Sequence, residues 1–491
     1  MKKTNRPLVL ASVMLAMFIG AVEATIVSTA MPSISAELGG FSKYSWVFSA
    51  YLLMSTVTVL LYGKLSDIFG RKPIFAVGII LFLIGSLLCG LATSMDQLIL
   101  FRFVQGIGAG AVLPIATTIV GDIYTNEERA KIQGYLSSVW GISAVTGPAI
   151  GGVLVATVGW EYVFWVNIPL GILALLGVLF FLVEPVNHKK PAIDFAGAAL
   201  LTLALSMFLY WLVEGGVGFS WASIQSFLLL GGAAAIFTLF VFVERKAEDP
   251  MMPFSIWRNK SILFANLVSL FTGIILIGVT SYLPAYVTGV MEQSATIAGF
   301  TLTAMSIGWP IAAFFSGKLL LKIGYFQTSL LGGVSLVIGT VLFVLMQASF
   351  GPWWAAMSSF FIGVGMGLTS TAFIVSIQSA VSYEQRGSAT ASNIFMRNLG
   401  STIGAALLGS VLNVTLLNYF RSTGEGFTLN SVNELLTEKS RAALSPETIS
   451  VLQEGLELGS QNVYGLTAVF ALISLLLIFG LPRKRGLKSD G

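Results

Sequence analysis

Long apolar runs extend along the whole chain and are separated by short polar stretches. Each run holds about 18 residues or more, which is enough for a helix to cross about 30 Å of hydrocarbon. The runs are too long and too uniformly apolar for the strands of a membrane barrel, whose side chains alternate between lipid and lumen. Because a chain in lipid must satisfy its own backbone hydrogen bonds, the pattern predicts an all-α polytopic membrane protein.

A window of roughly 19 residues divides these runs into about fourteen predicted transmembrane helices, an even number that places both termini on one side of the membrane. The segment 414–461 lies between the last two helices, and its sequences "SVNELLTEKSRAAL" and "SPETISVLQEGLELG" predict two short amphipathic helices divided by Pro446. The transmembrane helices are predicted near 8–30, 46–65, 73–93, 97–118, 132–155, 162–183, 194–214, 223–243, 262–288, 296–316, 328–347, 353–378, 392–413 and 462–482.

Composition and charge agree with a membrane protein and indicate its orientation. Of 491 residues, 55% are hydrophobic and 10% are charged, whereas a soluble domain carries roughly a quarter charged residues. Most of the 27 Lys and Arg residues fall in segments on the side of the N-terminus. Because cytoplasmic loops are rich in Lys and Arg, we expect cytoplasmic termini and an external 414–461 segment. The net charge of +4 follows from this topology, so no nucleic-acid partner is expected, and the single cysteine, Cys89, excludes an internal disulfide.

Two similar segments indicate an internal repeat. "GKLSDIFG" begins at Gly63 and "GKLLLKIG" begins at Gly317. Both are predicted at cytoplasmic helix ends, so the two halves are expected to be parallel repeats, with the substrate site between them as in many transporters. The sequence therefore predicts an N-terminal six-helix bundle at 1–190 and two inserted helices at 191–245. A C-terminal six-helix bundle follows at 246–491 and includes the external segment 414–461.

Two charged residues lie inside apolar runs. Glu23 is near the middle of the first predicted helix, in "MFIGAVEATIVSTAMP", and Arg102 interrupts "LILFRFVQGIGAGAVLP". A charge in hydrocarbon is costly, so such residues are expected to face a polar interior and to be paired. The protonation of Glu23 should respond to its surroundings, which would let it bind a proton or a cationic substrate in turn. The alternatives are a permanently neutral acid at Glu23 and an Arg102 side chain that reaches the outer interface.

The stretch "GKLSDIFGRKP" concentrates charge between two apolar runs. Gly63 allows a close helix approach, and Gly70 can end a helix or adopt a positive φ. Asp67 lies four residues before Arg71, near enough for an ion pair, and could also reach the N-terminus of a neighbouring helix. We interpret these four residues as a conformational latch that forms in one state of the protein and breaks in another. A charged turn that only fixes the topology is the alternative.

The stretch "WGISAVTGPAIGGVL" combines a face of small residues with a proline. This combination favours close packing and a bend where helices slide or rock against each other. The predicted hinge consists of Gly141, Gly147, Pro148, Gly151 and Gly152.

The C-terminal half contains a second candidate polar site. Arg397, in "NIFMRNLGSTIG", is another buried-cation candidate, and Gln378 and Asn393 are polar residues expected nearby. Glu214, near the end of an inserted helix, is a weaker candidate because its side chain can reach the outer interface.

Several stretches resemble signatures of the major facilitator superfamily. "GKLSDIFGRK" is similar to its loop signature between helices 2 and 3, "RFVQGIGAG" to its helix-4 signature, and "GISAVTGPAIGG" to the helix-5 signature associated with antiporters. "EATIVSTAMP" and "GWEYVFWVNIPLG" resemble the fourteen-helix drug:proton antiporter branch of the EmrB/QacA type. The resemblance covers essentially the whole chain and implies the major facilitator fold. The chain departs from that branch at Glu23, where Asp is commoner, and at Glu161, where Arg is commoner.

The resemblance also implies a function, a proton-coupled multidrug efflux antiporter that exports amphipathic cationic or zwitterionic compounds across the cytoplasmic membrane by alternating access. In such a protein Asp67 and Arg71 would form the latch, Arg102 would assist proton transfer, Gly147 and Pro148 would form the hinge, and Glu23 would couple protons to substrate.

The chain has no Gly-x4-Gly-Lys-Ser/Thr loop for a nucleotide, so the energy is expected from an ion gradient, most simply of protons. We expect small drug-like substrates, protons and the lipid bilayer as partners, a monomer, and no cofactor or metal. The alternatives are an exporter of an endogenous metabolite, lipid or peptide-like molecule, and a membrane sensor or scaffold without transport. A membrane enzyme is disfavoured because the chain has no His cluster, Cys pair or Ser/His/Asp arrangement.

Overall fold

The computed structural model describes residues 4–124, 126–184, 195–246, 254–381, 386–423 and 426–482. Within these ranges the chain is helical and forms no β-strand, which confirms the predicted all-α fold. The α-helices are α1 (Arg6–Leu38), α2 (Tyr44–Phe69), α3 (Arg71–Gly90), α4 (Met95–Ile123), α5 (Asn126–Thr157), α6 (Tyr162–Trp165), α7 (Asn167–Phe181), α8 (Phe195–Glu214), α9 (Ile224–Lys246), α10 (Lys260–Gly289), α11 (Ala295–Val344), α12 (Gly351–Ser379), α13 (Arg386–Thr423), α14 (Glu438–Arg441) and α15 (Pro446–Ile478).

The chain forms two compact units, Met1–Met251 and Met252–Gly491. In the first unit α4 packs against α2 and α3, while α1 packs against α5 and α7. Apolar side chains such as Val13 of α1, Ile115 of α4 and Val178 of α7 form its core. Helices α8 and α9, which are predicted to be an insertion, pair with each other, and α8 packs on α2, so both belong to this unit. The predicted partition into 1–190, 191–245 and 246–491 stays a prediction.

The start of α4 is specified by its first turn. The hydroxyl of Ser94 accepts a hydrogen bond from the backbone N–H of Gln97 at 3.3 Å, as an N-cap residue does. Asp96 adds a negative charge to the first turn, where it interacts favourably with the helix dipole. This start places Arg102 about two turns inside α4.

The second unit contains α10–α15. Here α11 and α12 pack together, and α10 packs against α13 and α15. Gly324, with φ 82° and ψ 170°, interrupts α11 and divides it into two spans that match the two helices predicted there. Gly70 between α2 and α3 has φ 95° and ψ 154°. Gly70 and Gly324 are the closing glycines of the two repeated segments, and both adopt a backbone conformation that favours glycine. The repeat in the sequence therefore has a counterpart in the backbone.

Twelve helical segments within the described residues are long and apolar enough to cross a membrane. Two further helices of the first unit, α2 and α5, are 26 and 32 residues long. Because a helix rises about 1.5 Å per residue, either is long enough to span about 30 Å. The chain is thus a multi-pass membrane protein, and the count of fourteen spans stays a prediction.

The segment 414–461 is more helical than predicted. Helix α13 continues to Thr423, and α15 begins at Pro446 and runs without interruption to Ile478. The stretch predicted as a separate second amphipathic helix is therefore the first part of the last long helix. Ser445 caps α15 and Pro446 occupies its first turn, a position that tolerates proline. Gly455 and Gly459 then let α15 lie close to α13, whose side chains a Cβ at either position would contact.

Candidate functional site

Glu23 and Arg102 meet in the interior of the first unit. Glu23 lies on α1 and is 0% exposed, and Arg102 lies on α4 and is 2% exposed. The Nη1 atom of Arg102 donates a hydrogen bond to Oε1 of Glu23, which makes the contact a buried ion pair. The interpretation of Arg102 as a side chain that reaches the outer interface is therefore wrong. The expectation that both charges are paired is confirmed.

The second helix supplies further contacts to the guanidinium. Its Nε atom donates to the backbone carbonyl of Val47 at 3.3 Å, and its central carbon lies 4.0 Å from the centroid of the Tyr51 ring. A cation over an aromatic face is stabilised, more strongly where water is excluded. Arg102 is thus held from α1 by a carboxylate and from α2 by a carbonyl and a ring.

Three neutral polar side chains complete a closed network around the ion pair. Arg102 Nη1 also donates to Oε1 of Gln105 at 2.6 Å. From Gln105, Nε2 donates to the hydroxyl of Ser86 on α3 at 2.8 Å. From Asn167 at the start of α7, Nδ2 donates to Oε2 of Glu23 at 2.7 Å and lies 3.4 Å from the same Ser86 hydroxyl. The network therefore joins four helices in a ring of hydrogen bonds.

The ring is almost completely buried. Ser86 and Gln105 are each 0% exposed, and Asn167 is 1% exposed. Cys89 lies beside the ring, with its Sγ atom 3.7 Å from Oε1 of Gln105. A buried ion pair is tolerated only when additional hydrogen bonds satisfy its remaining donors and acceptors. Here both carboxylate oxygens have donors from different helices, so the ionised form of Glu23 is well accommodated.

Glycine residues allow the helices that carry the ring to approach each other. A Cβ at Gly85 of α3 would overlap the backbone of Gln105, and a Cβ at Gly108 of α4 would overlap the backbone of Phe82. A Cβ at Gly106 would meet the carbonyl of Tyr51 on α2. The glycines of "RFVQGIGAG" therefore bring α2 and α3 onto α4 at the level of Arg102.

The predicted hinge contacts α1 next to Glu23. A Cβ at Gly147 would overlap Oγ1 of Thr25, and a Cβ at Gly151 would lie 3.0 Å from the carbonyl of Ile26. Pro148 and Gly152 are buried in the same helix. The surroundings of Gly141 lie outside the described residues. Gly147 and Gly151 therefore pack α5 closely against the turn of α1 that follows Glu23.

The predicted latch has contacts besides the expected Asp67–Arg71 pair, which stays a prediction. Arg71 forms an ion pair with Asp122 at the end of α4, with Nε and Oδ2 3.3 Å apart. The backbone N–H groups of Arg71 and Lys72, at the N-terminus of α3, donate to the Glu184 carboxylate at 2.6 and 3.0 Å. The surroundings of Gly63 and the side chain of Asp67 lie outside the described residues.

Gly70 makes the contact with Glu184 possible. It has the predicted positive φ of 95°, and a Cβ at this position would lie 2.9 Å from Oε2 of Glu184. A carboxylate at a helix N-terminus accepts the unpaired N–H groups and interacts favourably with the helix dipole. Glu184 follows α7, so the α2–α3 turn is tied to the cytoplasmic end that we predict for α7.

In the second unit, hydrogen bonds are seen for two of the three candidates, Asn393 and Gln378. Asn393 of α13 is buried and donates to Oδ1 of Asn266 at 3.1 Å and to the hydroxyl of Ser269 at 2.8 Å, both on α10. Gln378 donates to Thr390 at 3.2 Å. Arg397 is partly exposed and has no ion-pair or hydrogen-bond partner among the described side chains. The grouping of Gln378, Asn393 and Arg397 in one polar site stays a prediction.

Glu214 is also placed by the structure. Its Oε1 atom accepts a hydrogen bond from Nε1 of Trp46 at 3.1 Å, and the Trp46 and Tyr210 rings lie 6.3 Å apart. The partly exposed carboxylate thus ties α8 to α2 in an aromatic environment. This arrangement agrees with a side chain at the membrane interface.

An apolar groove of about 410 Å³ lies along the N-terminal part of α1 in the same unit. Its walls come from α1, the end of α4 and α5, and include Leu10, Met14, Tyr124, Ile132 and Tyr135. No group of three or more His, Cys, Asp or Glu side chains that could hold a metal ion occurs in the described part of the chain.

Comparisons with known proteins agree with this architecture. Residues 13–405 match the family described as "Major Facilitator Superfamily". The chain is 35% identical over 425 residues to "Multidrug resistance protein 3" of Bacillus subtilis. This alignment covers 87% of this chain and 83% of the relative. It is 32% identical over 426 residues to "Efflux pump dotC" of Dothistroma septosporum, covering 85% of this chain and 73% of the relative.

A solved structure shares the fold. The crystal structure of a bacterial homologue of the human lysosomal transporter Spinster aligns over 100% of both chains with a TM-score of 0.68 and 17% identity. The matched family and the fold indicate a transporter rather than an enzyme. By the family match over most of its length and by its relatives, the chain belongs to the Major Facilitator Superfamily.

Proposed function

We propose that the protein is a proton-coupled exporter of amphipathic cationic or zwitterionic drugs, and that it works as an antiporter. The observation that carries this proposal is the fully buried ion pair between Glu23 and Arg102. Proton coupling requires a group within the membrane that can change its charge, and an acid next to a resident cation is such a group. The names of the relatives, a multidrug resistance protein and an efflux pump, support drug-like substrates.

The ion pair suggests how protons and substrate compete. Ionised Glu23 attracts a cation, and in the ring it is neutralised by Arg102. Protonated Glu23 is neutral and no longer holds the guanidinium by charge. A cationic substrate and a proton therefore compete for one carboxylate, and by linkage each lowers the affinity for the other. Such competition is the thermodynamic requirement for antiport.

Other parts of the molecule have roles in this proposal. The apolar groove along α1 suits the apolar part of an amphipathic substrate. The contacts of Arg71 with Asp122, and of Glu184 with α3, would act as the latch together with Asp67, and the glycines of α5 would let α1 rock. We also propose a place in the fourteen-helix antiporter branch, a monomer, and a cytoplasmic membrane location with cytoplasmic termini, supported by the distribution of Lys and Arg.

Everted membrane vesicles test the proposal. They are acidified inside, and a fluorescent probe follows their pH after addition of a lipophilic cation such as ethidium. Wild-type vesicles should release protons when ethidium is added, and Glu23→Gln should abolish proton release and uphill ethidium uptake while leaving downhill flux. Glu37→Gln is a matched control, because Glu37 is an exposed acid near the end of the same helix. Equal proton release in wild type and Glu23→Gln would remove Glu23 from the coupling step. Proton release in response to cell extracts, and never to drugs, would favour the endogenous-substrate alternative.

A further inference from the structure

The ring around the ion pair contains a residue with no role in the coupling described above. Asn167 is 1% exposed, and its Nδ2 atom lies 2.7 Å from Oε2 of Glu23. We propose that Asn167 is a positioning residue that adapts to the protonation state of Glu23: it donates to the ionised carboxylate and turns its amide to accept from the protonated acid. The inference rests on the proposed function, because it assumes that Glu23 takes up a proton.

The direction of each hydrogen bond in the ring is dictated by chemistry. A guanidinium can only donate, so Gln105 must turn Oε1 toward Arg102 and Nε2 toward Ser86, as observed. An ionised carboxylate can only accept. Asn167 must then turn Nδ2 toward Glu23, as it does. The observed ring is therefore the arrangement that fits ionised Glu23.

Protonation of Glu23 conflicts with this arrangement at either oxygen. A hydrogen on Oε1 would face the Nη1 donor of Arg102, and a hydrogen on Oε2 would face the Nδ2 donor of Asn167. Arg102 cannot become an acceptor. Asn167 can, because rotating its amide exchanges the N–H₂ group for Oδ1. Ser86, the other neighbour of this amide, tolerates both orientations because a hydroxyl donates as well as accepts.

The groups that face Glu23 give no substitute for this amide. From α4 the facing charged group is Arg102, and from α2 the titratable neighbour is Tyr51, whose ring lies under the guanidinium. From α3 the titratable neighbour is the Cys89 thiol, whose Sγ atom lies 3.7 Å from Oε1 of Gln105 and so contacts the amide. From α5, Gly147 and Gly151 pack on the turn of α1 that follows Glu23 and carry no side-chain polar group, and the Ser143 hydroxyl donates to the Phe18 carbonyl at 3.3 Å. Asn167 is thus the neutral partner of Glu23 that can switch between donor and acceptor.

Infrared titration of the purified protein tests the inference directly. The carbonyl stretch of a protonated carboxylic acid is assigned to Glu23 by its loss in Glu23→Gln, and its intensity is followed against pH. The key variant is Asn167→Leu, which keeps an amide-sized side chain but neither donates nor accepts. Asn167→Ala is the second variant, in case the first fails to fold, because it removes the amide and adds no titratable group. Asn413→Leu is the matched control, since Asn413 is a buried asparagine of α13, outside the ring.

The expected result is a shift of the Glu23 titration midpoint toward higher pH by about one unit or more in both Asn167 variants. The sign follows because a hydrogen bond to a charged acceptor is stronger than one to the neutral acid, so losing the amide penalises the ionised form more. Asn413→Leu should leave the midpoint where the wild type has it. An unchanged midpoint in both Asn167 variants overturns the inference and leaves the proposed function intact. The absence of any band that Glu23→Gln removes would instead contradict the proposed coupling, and this inference with it.

Discussion

Removing one partner of the Glu23–Arg102 pair should lower the stability of the folded protein, by an amount that depends on which partner is removed. In Arg102→Met, the buried Glu23 carboxylate loses its cation, but it can escape by binding a proton. In Glu23→Leu, Arg102 is left without its counter-charge and cannot lose its own proton at any ordinary pH. We therefore expect Glu23→Leu to be the more damaging change at low pH.

The size of the effect follows from the contacts of the pair. Arg102 donates to Glu23, to Gln105 and to the Val47 carbonyl, and it lies over the Tyr51 ring. Breaking a buried pair by removing one partner costs about 3–5 kcal/mol, because the remaining charge is left without compensation. For a unit of this size, the melting temperature should fall by on the order of 10 °C.

The pH dependence has a definite sign. In Arg102→Met, folded protein binds a proton at Glu23 more readily than unfolded protein does, because the carboxylate is buried without a cation. Stability therefore rises as the pH falls, and the deficit relative to wild type shrinks. In Glu23→Leu the group left behind does not titrate, so this variant has no such gain in stability as the pH falls.

A double variant separates the charge effect from loss of packing. Replacing a whole buried ion pair by apolar residues is often neutral or stabilising, so Glu23→Leu combined with Arg102→Met should be more stable than either single variant. Thermal unfolding of the purified protein in detergent at neutral and acidic pH measures all four proteins. A double variant that melts below both single variants, or a deficit of Arg102→Met that grows as the pH falls, would refute the reasoning.

Three further predictions follow from other contacts. Glu184→Gln should lower drug efflux with a small loss of stability, about 1 kcal/mol, because α3 loses the charge at its N-terminus; efflux equal to wild type would contradict a latch role. Gly147→Ala should lower the melting temperature, and Thr25→Ala should restore part of it by removing the overlapping atom; a double variant without any rescue would contradict this contact. Arg441→Ala should speed hydrogen exchange at the end of α10, where Arg441 donates to the Thr288 carbonyl at 2.9 Å; mass spectrometry that finds unchanged exchange would contradict the anchor.

The sequence alone identifies the charged residues that are costly to bury in the membrane, but it does not identify their partners. A charge in an apolar run stands out because of its cost, which is how Glu23 and Arg102 could be predicted. Their contact spans 79 positions in the sequence, and no local pattern predicts such a pairing. Gln105 and Asn167 lie within the quoted signatures "RFVQGIGAG" and "GWEYVFWVNIPLG", so a signal was present. Their role depends on whether their side chains face the ion pair, and the packing of the helices determines this orientation.

The ends of helices were the weakest part of the prediction for a related reason. A hydropathy window finds the apolar centre of a span but not the polar turns that extend it, so the first turns of α15, which begin at Pro446, were assigned to a separate helix. The contacts of the latch could not be predicted either, because they join residues that are far apart in the sequence. Glu184 lies more than a hundred positions from Gly70, and the two meet because α3 and α7 are neighbours in the fold.

The arrangement of the ring also limits how a substrate can reach Glu23. Both carboxylate oxygens are occupied, one by a guanidinium and the other by an amide, and the whole network is almost fully buried. In the proposed function, Arg102 is therefore the group with which a cationic substrate competes for Glu23. A substrate cation can bind Glu23 only if the guanidinium moves away. A proton on Glu23 neutralises the carboxylate, so the charge attraction that holds the guanidinium there is lost. Because Arg102 is also bound to α2 through Val47 and Tyr51, either event changes the contacts between α1, α2 and α4. In the proposed cycle, this is how a change in charge at one carboxylate becomes a change in helix packing.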